Sequence, residues 1–314
     1  MTLHTIEPER GTLHGHFSRD VPPILEIESG DTVRFSTLDA GWGLEPNHAD
    51  GSPRRTFEPR DGLRDRGHAM CGPVAVRGAE PGMTLEIGIG ELRTGGWGWN
   101  AAGGFKSQVN DRLGVTHAET YTLNWTLDDD AGIATSQHGH RVRMNPHFGV
   151  MGVAPNLPGI LPTSPPRVTG GNIDCKELVT GSTLYLPIAV RGANFSCGDA
   201  HAAMADGEAS TTGIECPFER ADLTFTVRDD LRISTPRANT PAGWLTLGFH
   251  TDLDEAMFVA LDAMLDLMRE LHGLERREAL ALASLVVDLR ITQVVNGVRG
   301  VHALLAHGAL LERA

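Results

Sequence analysis

Acid–base and metal-binding side chains crowd into one stretch of this sequence. Gly170–Asp174 (GGNID) and Gly198–Glu208 (GDAHAAMADGE) together carry Asp174, Asp199, His201, Asp206 and Glu208 among glycines and alanines. Small neighbours let the backbone approach closely and leave room for a ligand. On a strand, Asp199 and His201 would point to the same face, because side chains repeat every two residues. Carboxylate plus imidazole is a common mixed ligand set for a divalent ion. A solvated acidic loop with an incidental histidine stays open beside that reading, since the D-x-H spacing is widespread. Cys175, followed by Lys176 and Glu177, places a thiol beside charged groups, which superficially offers a nucleophile. Adjacent strand residues face opposite ways, so a buried, inert thiol is the expected role.

The elements that must position these groups are short. Ile24–Glu28 and Thr32–Ser36 alternate as half-buried strands do, with Ser29, Gly30 and Asp31 turning between them. Three segments share the grammar x-x-Gly-x-Thr followed by an alternating run, at Gly30, Gly82 and Gly181. A glycine turn feeding a β-branched threonine starts a strand cheaply. The last quarter differs. Trp244–Phe249 reads as a strand, after which Thr251 or Asp252 could cap a helix ending at Gly273, its methionines serving as core packing. A second helix is expected over Glu275–Leu289. A closing hairpin follows, with Asn296 and Gly297 in a type I′ turn between Ile291–Val295 and Val298–Leu305. Pro146–Pro166 has no charged residue but six prolines, and reads as a loop system rather than a membrane span.

Composition bounds the rest. The 314 residues are 40% hydrophobic, with 37 glycines and 18 prolines, enough for a core but favouring many short elements. A net charge of −13 argues against nucleic acid or an anionic membrane as partner. Nothing in the first ten residues reads as a signal peptide, and four cysteines without a C-x-x-C pair fit free thiols in a reducing compartment. A cytoplasmic protein is expected.

Six blocks in order resemble the acetamidase/formamidase family. They are Gly72–Gly82, Gly149–Pro155, Gly170–Asp174, Thr183–Pro187, Gly198–Glu208 and Val287–Ala303, the last through Asn296, Gly297 and His302. The resemblance runs from Val21 to Leu305. It implies a mainly β fold with an α+β character: sandwich-like halves and a small helical segment near the C-terminus. The whole chain, 1–314, would be one unit, with an internal division at 1–135 and 136–314. It also implies a metal-dependent amidohydrolase acting on short amides, with zinc as the ion and calcium as a second ion to look for, in a homo-oligomer, a dimer first. Carried over residue by residue, Asp39, Asp174, Asp199 and His201 would bind metal, Glu208 would be catalytic, and His14, His68 and Asp206 would touch substrate or support the site. Thr211–Glu215 and Val168–Thr169 depart from the family pattern.

Amide hydrolysis needs a better electrophile and a better nucleophile than amide and neutral water. A bound Zn²⁺ would polarise the carbonyl and lower the pKa of its water to about 7. Glu208 would then take the water proton and pass it to the leaving amine. Three other readings compete: a cysteine amidase using Cys175, a calcium-holding sandwich that binds without catalysis, and a stacking platform made by Trp97 and Trp99. Pocket size would depend on the loops Trp42–Arg66 and Asn156–Arg167.

Overall fold

In the computed structural model, which describes residues 1–311, the three glycine turns behave alike. Gly30, Gly82 and Gly181 take φ of 96°, 89° and 89°, left-handed backbone that glycine adopts freely. Each feeds a strand beginning at Thr32, Thr84 or Thr183.

The first strands are β1 (Leu3–Ile6), β2 (Leu13–His14), β3 (Leu25–Ile27), β4 (Thr32–Phe35), β5 (Met70–Val76), β6 (Thr84–Thr94) and β7 (Trp97–Ala102). A short helix, α1 (Gln108–Leu113), follows. Next come β8 (Tyr121–Asp128), β9 (Ile133–Ser136), β10 (Arg141–Arg143), β11 (His147–Val153), β12 (Gly170–Asn172), β13 (Thr183–Pro187) and β14 (Phe195–His201). The series continues with β15 (Glu215–Cys216), β16 (Phe218–Arg228), β17 (Arg237–Thr240) and β18 (Gly243–His250). Helices α2 (Leu253–His272) and α3 (Arg276–Val286) precede β19 (Val287–Gln293) and β20 (Arg299–Ala306).

The protein is mostly β, as expected. One sheet has nine strands in the order β1-β4-β16-β6-β13-β17-β18-β20-β19. The other runs β10-β9-β8-β7-β15-β14-β11-β12, with β5 joined to β14 and both β2 and β3 joined to β5. The two sheets meet through edge-to-face phenylalanine pairs, Phe195 with Phe225 at 5.0 Å and Phe148 with Phe218 at 4.9 Å. These bury large rings in favourable quadrupole geometry. Both sheets draw strands from either side of residue 135.

Helix α2 is specified by its ends. The Asp252 carboxylate accepts from the amides of Asp254 and Glu255, and Gly273 closes the helix at φ 65°. Met264 and Met268 are buried against Val301 and Ala303 of β20, so they are core as expected. Gly248 allows that docking, because a Cβ there would lie 2.1 Å from the Ala256 carbonyl. Among the described residues, no helix is long and apolar enough to cross a membrane.

Three local expectations are corrected, and the expected turn at Gly30 joins two sheets. The second helix stops at Val286, and Val287–Leu289 already pair with β20, because an extended Val287 can join the hairpin. Strands β3 and β4 do not pair with each other; the turn at Gly30 carries the chain from one sheet to the other. The final turn has a positive φ only at Gly297, so it is not type I′, which needs two. The Gln293 side chain shapes it, accepting from the amides of Val295 and Asn296. Last, His147–Val153 within the supposed loop is a fully buried strand; buried on both faces, it shows no alternation.

Candidate functional site

Strand β14 changes neighbours where the chemistry lies. On one edge it pairs throughout with β11. On the other it pairs with β5 as far as Gly198 and with β15 from Ala200. Gly198 must be glycine, since a Cβ would fall 2.1 Å from the Ala69 carbonyl. Asp199, at the change of partner, takes φ 56°, a left-handed conformation that aspartate tolerates better than most residues. Asp174 (φ 51°) and Glu208 (φ 46°) share it.

These kinks gather a buried cluster. Asp174, His201 and Glu208 offer donor atoms within 4.8 Å of one another, and so do Asp199, His201 and Glu215. His201 Nε2 lies 3.2 Å from Glu215 Oε1 and 3.6 Å from Asp199 Oδ1. His147 of β11 stands edge-on to His201 at 5.3 Å, its Nδ1 donating to the Asn145 carbonyl at 2.7 Å. Asn296 at the tip of the β19–β20 hairpin donates its amide to Asp174 Oδ2.

The electrostatics follow from burial. Burial pushes the Asp174 carboxyl well above the carboxylate range, reinforced by Glu208 and Asp199. Burial and the Asp199 charge raise Glu208 to about 7 and Glu215 to about 8, with His201 opposing both. Burial also works against ionising Asp199, yet His68 and His201 hold its carboxyl below the usual range. Desolvation disfavours a charged His201, but Glu215 and Asp199 overcome it and raise the imidazole well above its usual range. His147 is lowered to about 3 by burial and by the His201 charge.

This donor set fits a divalent cation. Asp174 Oδ1, Glu208 Oε2, Glu215 Oε2, His147 Nε2 and both nitrogens of His201 are buried without a hydrogen-bond partner, a concentration that native interiors avoid. A Cβ at Gly149 would stand 2.6 Å from Asp199 Oδ2, 2.7 Å from Asp174 Oδ1 and 2.9 Å from His201 Cε1. Glycine therefore keeps open the space these atoms face. The carboxyls retain protons because they cannot all ionise together, and a cation replaces such protons.

A cavity of about 500 Å³ opens beside the cluster, lined by Glu208 and Asp206 and by apolar groups of Trp125, Val142 and Ile214. Asp206 pairs with Lys176. His68 shares a hydrogen bond with Thr163 Oγ1 at 2.9 Å and bears on Asp199. Two anticipated residues sit elsewhere. Asp39 is buried, but it takes Arg54 Nη2 at 2.6 Å, Trp99 Nε1 at 2.7 Å and the Gly43 amide at 2.6 Å. His14 donates from Nδ1 to the His16 carbonyl at 2.8 Å and accepts from Ser196 Oγ at 3.0 Å. Among the described residues, neither belongs to a donor group. Trp97 and Trp99 flank the Arg54 guanidinium at 5.6 Å each, so they form a cation–π seat rather than a free platform.

Sequence reasoning passed over Glu215, His147 and Asn296. Glu215 ends the Thr211–Glu215 segment, whose one signal is its departure from the family pattern; His147 follows Pro146 in a proline-rich stretch; Asn296 carries the signal of a turn residue.

Known proteins share this fold. The chain is 27% identical over 256 residues to a formamidase of Methylophilus methylotrophus, a match covering 65% of this chain and 61% of that protein. The curated relatives are thus matched over less than two thirds of their length. A predicted acetamidase/formamidase from the thermophile Thermoanaerobacter tengcongensis superposes with a TM-score of 0.83 at 25% identity, over 98% of this chain and 96% of that one. An acetamidase from Bacillus halodurans does so with a TM-score of 0.81 at 28% identity, over 96% and 97%. The acetamidase/formamidase family matches residues 3–158 and 159–240, and the chain belongs to that family.

Proposed function

We propose that the protein hydrolyses short aliphatic amides, of the formamide and acetamide type, to carboxylate and ammonia, using a divalent ion, zinc first, at His201. The observation that carries this is the ring of unpartnered buried donors facing the space at Gly149, with Glu208 reaching from it to the cavity. Asp199, His201 and Glu215 would hold the ion, with Asp174 beside them. When bound, the ion polarises the amide carbonyl and lowers the pKa of its water to about 7.

The chain's own groups do the rest. Glu208 lines the cavity beside the donor group, where a carboxylate can both take and return a proton. It accepts the proton of the attacking water and delivers it to the amine nitrogen as the C–N bond breaks. Asn296 fixes the Asp174 carboxylate through its amide, and the apolar cavity wall sheds water from the acyl group. Cys175 serves a nucleophilic role poorly: it is fully buried, and burial together with Glu177 pushes its thiol well above the usual range. A cytoplasmic homo-oligomer, a dimer first, goes with this reading; exposed Phe258, Leu285 and Leu289 offer apolar surface for a contact.

Ammonia release from a panel of short amides, before and after chelation, tests the proposal. Release that vanishes on chelation and returns with zinc is the expected result. Metal-insensitive release would return the reaction to Cys175, and bound metal without release would favour a binding protein.

A further inference from the structure

A second buried donor group follows Asp174 directly in sequence and shares no member with the first. Cys175, Glu177 and His302 present a sulfur, a carboxylate oxygen and an imidazole nitrogen, all within 4.8 Å of one another. The Cys175 thiol donates to Glu177 Oε2 at 3.4 Å, and His302 Nε2 stands 3.7 Å from that same oxygen. Around four-coordinate zinc, bonds of about 2.3 Å to sulfur and about 2.0 Å to nitrogen or oxygen set neighbouring donors ~3.3–3.5 Å apart. The group is already close to that spacing.

Two further observations point to a cation. His302 has no exposed surface and its Nε2 lacks a hydrogen-bond partner. Its Nδ1 is meanwhile paired with Thr292 Oγ1 at 2.9 Å, the kind of contact that fixes a ligating imidazole. The charges are also arranged for it. Lys176 and Arg290 approach Glu177 through Oε1, at 3.3 Å and 3.5 Å, leaving Oε2 to the thiol and the imidazole. Lys176 also pairs with Asp206, and Arg290 with Asp288.

We propose that Cys175, Glu177 and His302 form a second divalent-metal site, suited to a borderline-soft ion such as zinc. Binding releases the thiol proton to solvent and forms bonds from Sγ, Oε2 and Nε2 to the ion. The site ties the segment after Asp174 to the β19–β20 hairpin, which supplies His302 and, at its tip, Asn296. It supports the first centre without touching the cavity.

Cobalt discriminates the two centres, because only the second contains a thiolate. The full-length protein is loaded with Co²⁺, and its near-ultraviolet spectrum and metal content are measured. A thiolate-to-cobalt charge-transfer band is expected in the wild type and in Cys216→Ser. In Cys175→Ser the band is lost and bound metal falls by one ion per chain. A cobalt-loaded wild type without the band overturns the site, as does a band that survives Cys175→Ser. Should Cys175→Ser fail to fold, the wild-type spectrum still decides, and His302→Asn is expected to weaken cobalt retention at least tenfold; unchanged retention counts against the proposal.

Discussion

Strands β6 and β16 of the nine-stranded sheet and the strands that meet at His201 are built by opposite rules. In β6 and β16 buried residues largely alternate with more exposed ones, so each strand gives one face to the core. Strands β5, β11 and β14 are buried at every residue. The first region spends its interior on apolar rings. The second spends it on carboxylates, imidazoles and left-handed backbone at Asp174, Asp199 and Glu208. Such conformations cost about 1–3 kcal/mol each and persist where the surroundings impose them. Packing and chemistry are thereby held by different side chains, even on β11 and β14, where Phe148 and Phe195 pack on β16 while His147 and His201 face each other in the cluster.

The sharpest test of that division is Glu208→Gln. It should lower kcat by about 10²–10⁴-fold while leaving the thermal midpoint unchanged or raised, since a buried carboxyl with an unpartnered oxygen is removed. Steady-state kinetics alongside calorimetry would read this, and an unfolded variant would break the contrast. Phe225→Ala is the mirror image. Losing its packing on Phe195 should cost about 3–5 kcal/mol in a urea titration, with kcat of the folded fraction unchanged.

A buried histidine whose bonds are complete should respond to pH differently from the open cluster. His14 is lowered to about 4 by burial, against 6.5 in the unfolded chain. Between these values the unfolded state binds the proton and the native state does not, so stability falls as pH drops from 6.5 to 4. The loss at pH 4 is about 3 kcal/mol. Denaturant midpoints compared across that range should show this slope reduced in His14→Asn; equal slopes would remove His14 as its source. The smallest effect is expected from Asn296→Ala, which removes only the amide on Asp174. Metal affinity should fall about 10–100-fold, measured by competition with a chelator.

The same division decides what the sequence discloses. The glycine–threonine turns, the alternation of β6 and the caps of α2 at Asp252 and Gly273 are local signals, and each appears where its chemistry predicts. Asp174, Asp199, His201 and Glu208 were visible as reactive types in small-residue surroundings, and the structure brings them together. Glu215 carries no local signal, because a two-residue strand has no periodicity and its pairing with His201 on the neighbouring strand is a tertiary contact. His147 was hidden by prolines that govern the chain after it rather than the strand it begins. Asp39 stands apart: it is named by the family resemblance alone, and its carboxylate is occupied by Arg54, Trp99 and the Gly43 amide, contacts that no local pattern discloses.

The hydrogen bond from Asn296 to Asp174 spans 122 residues, and β16 lies between β4 and β6. Both arrangements impose an order on biosynthesis. As the chain emerges from its N-terminus, β4 and β6 wait with unpaired edges until residues 218–228 are made. Asp174 waits longer, for a hairpin near the far end. Long-range closures of this kind are slow, so catalytic competence should be the last property the chain acquires. On refolding, turnover should recover after the far-ultraviolet circular dichroism of the sheets has already returned.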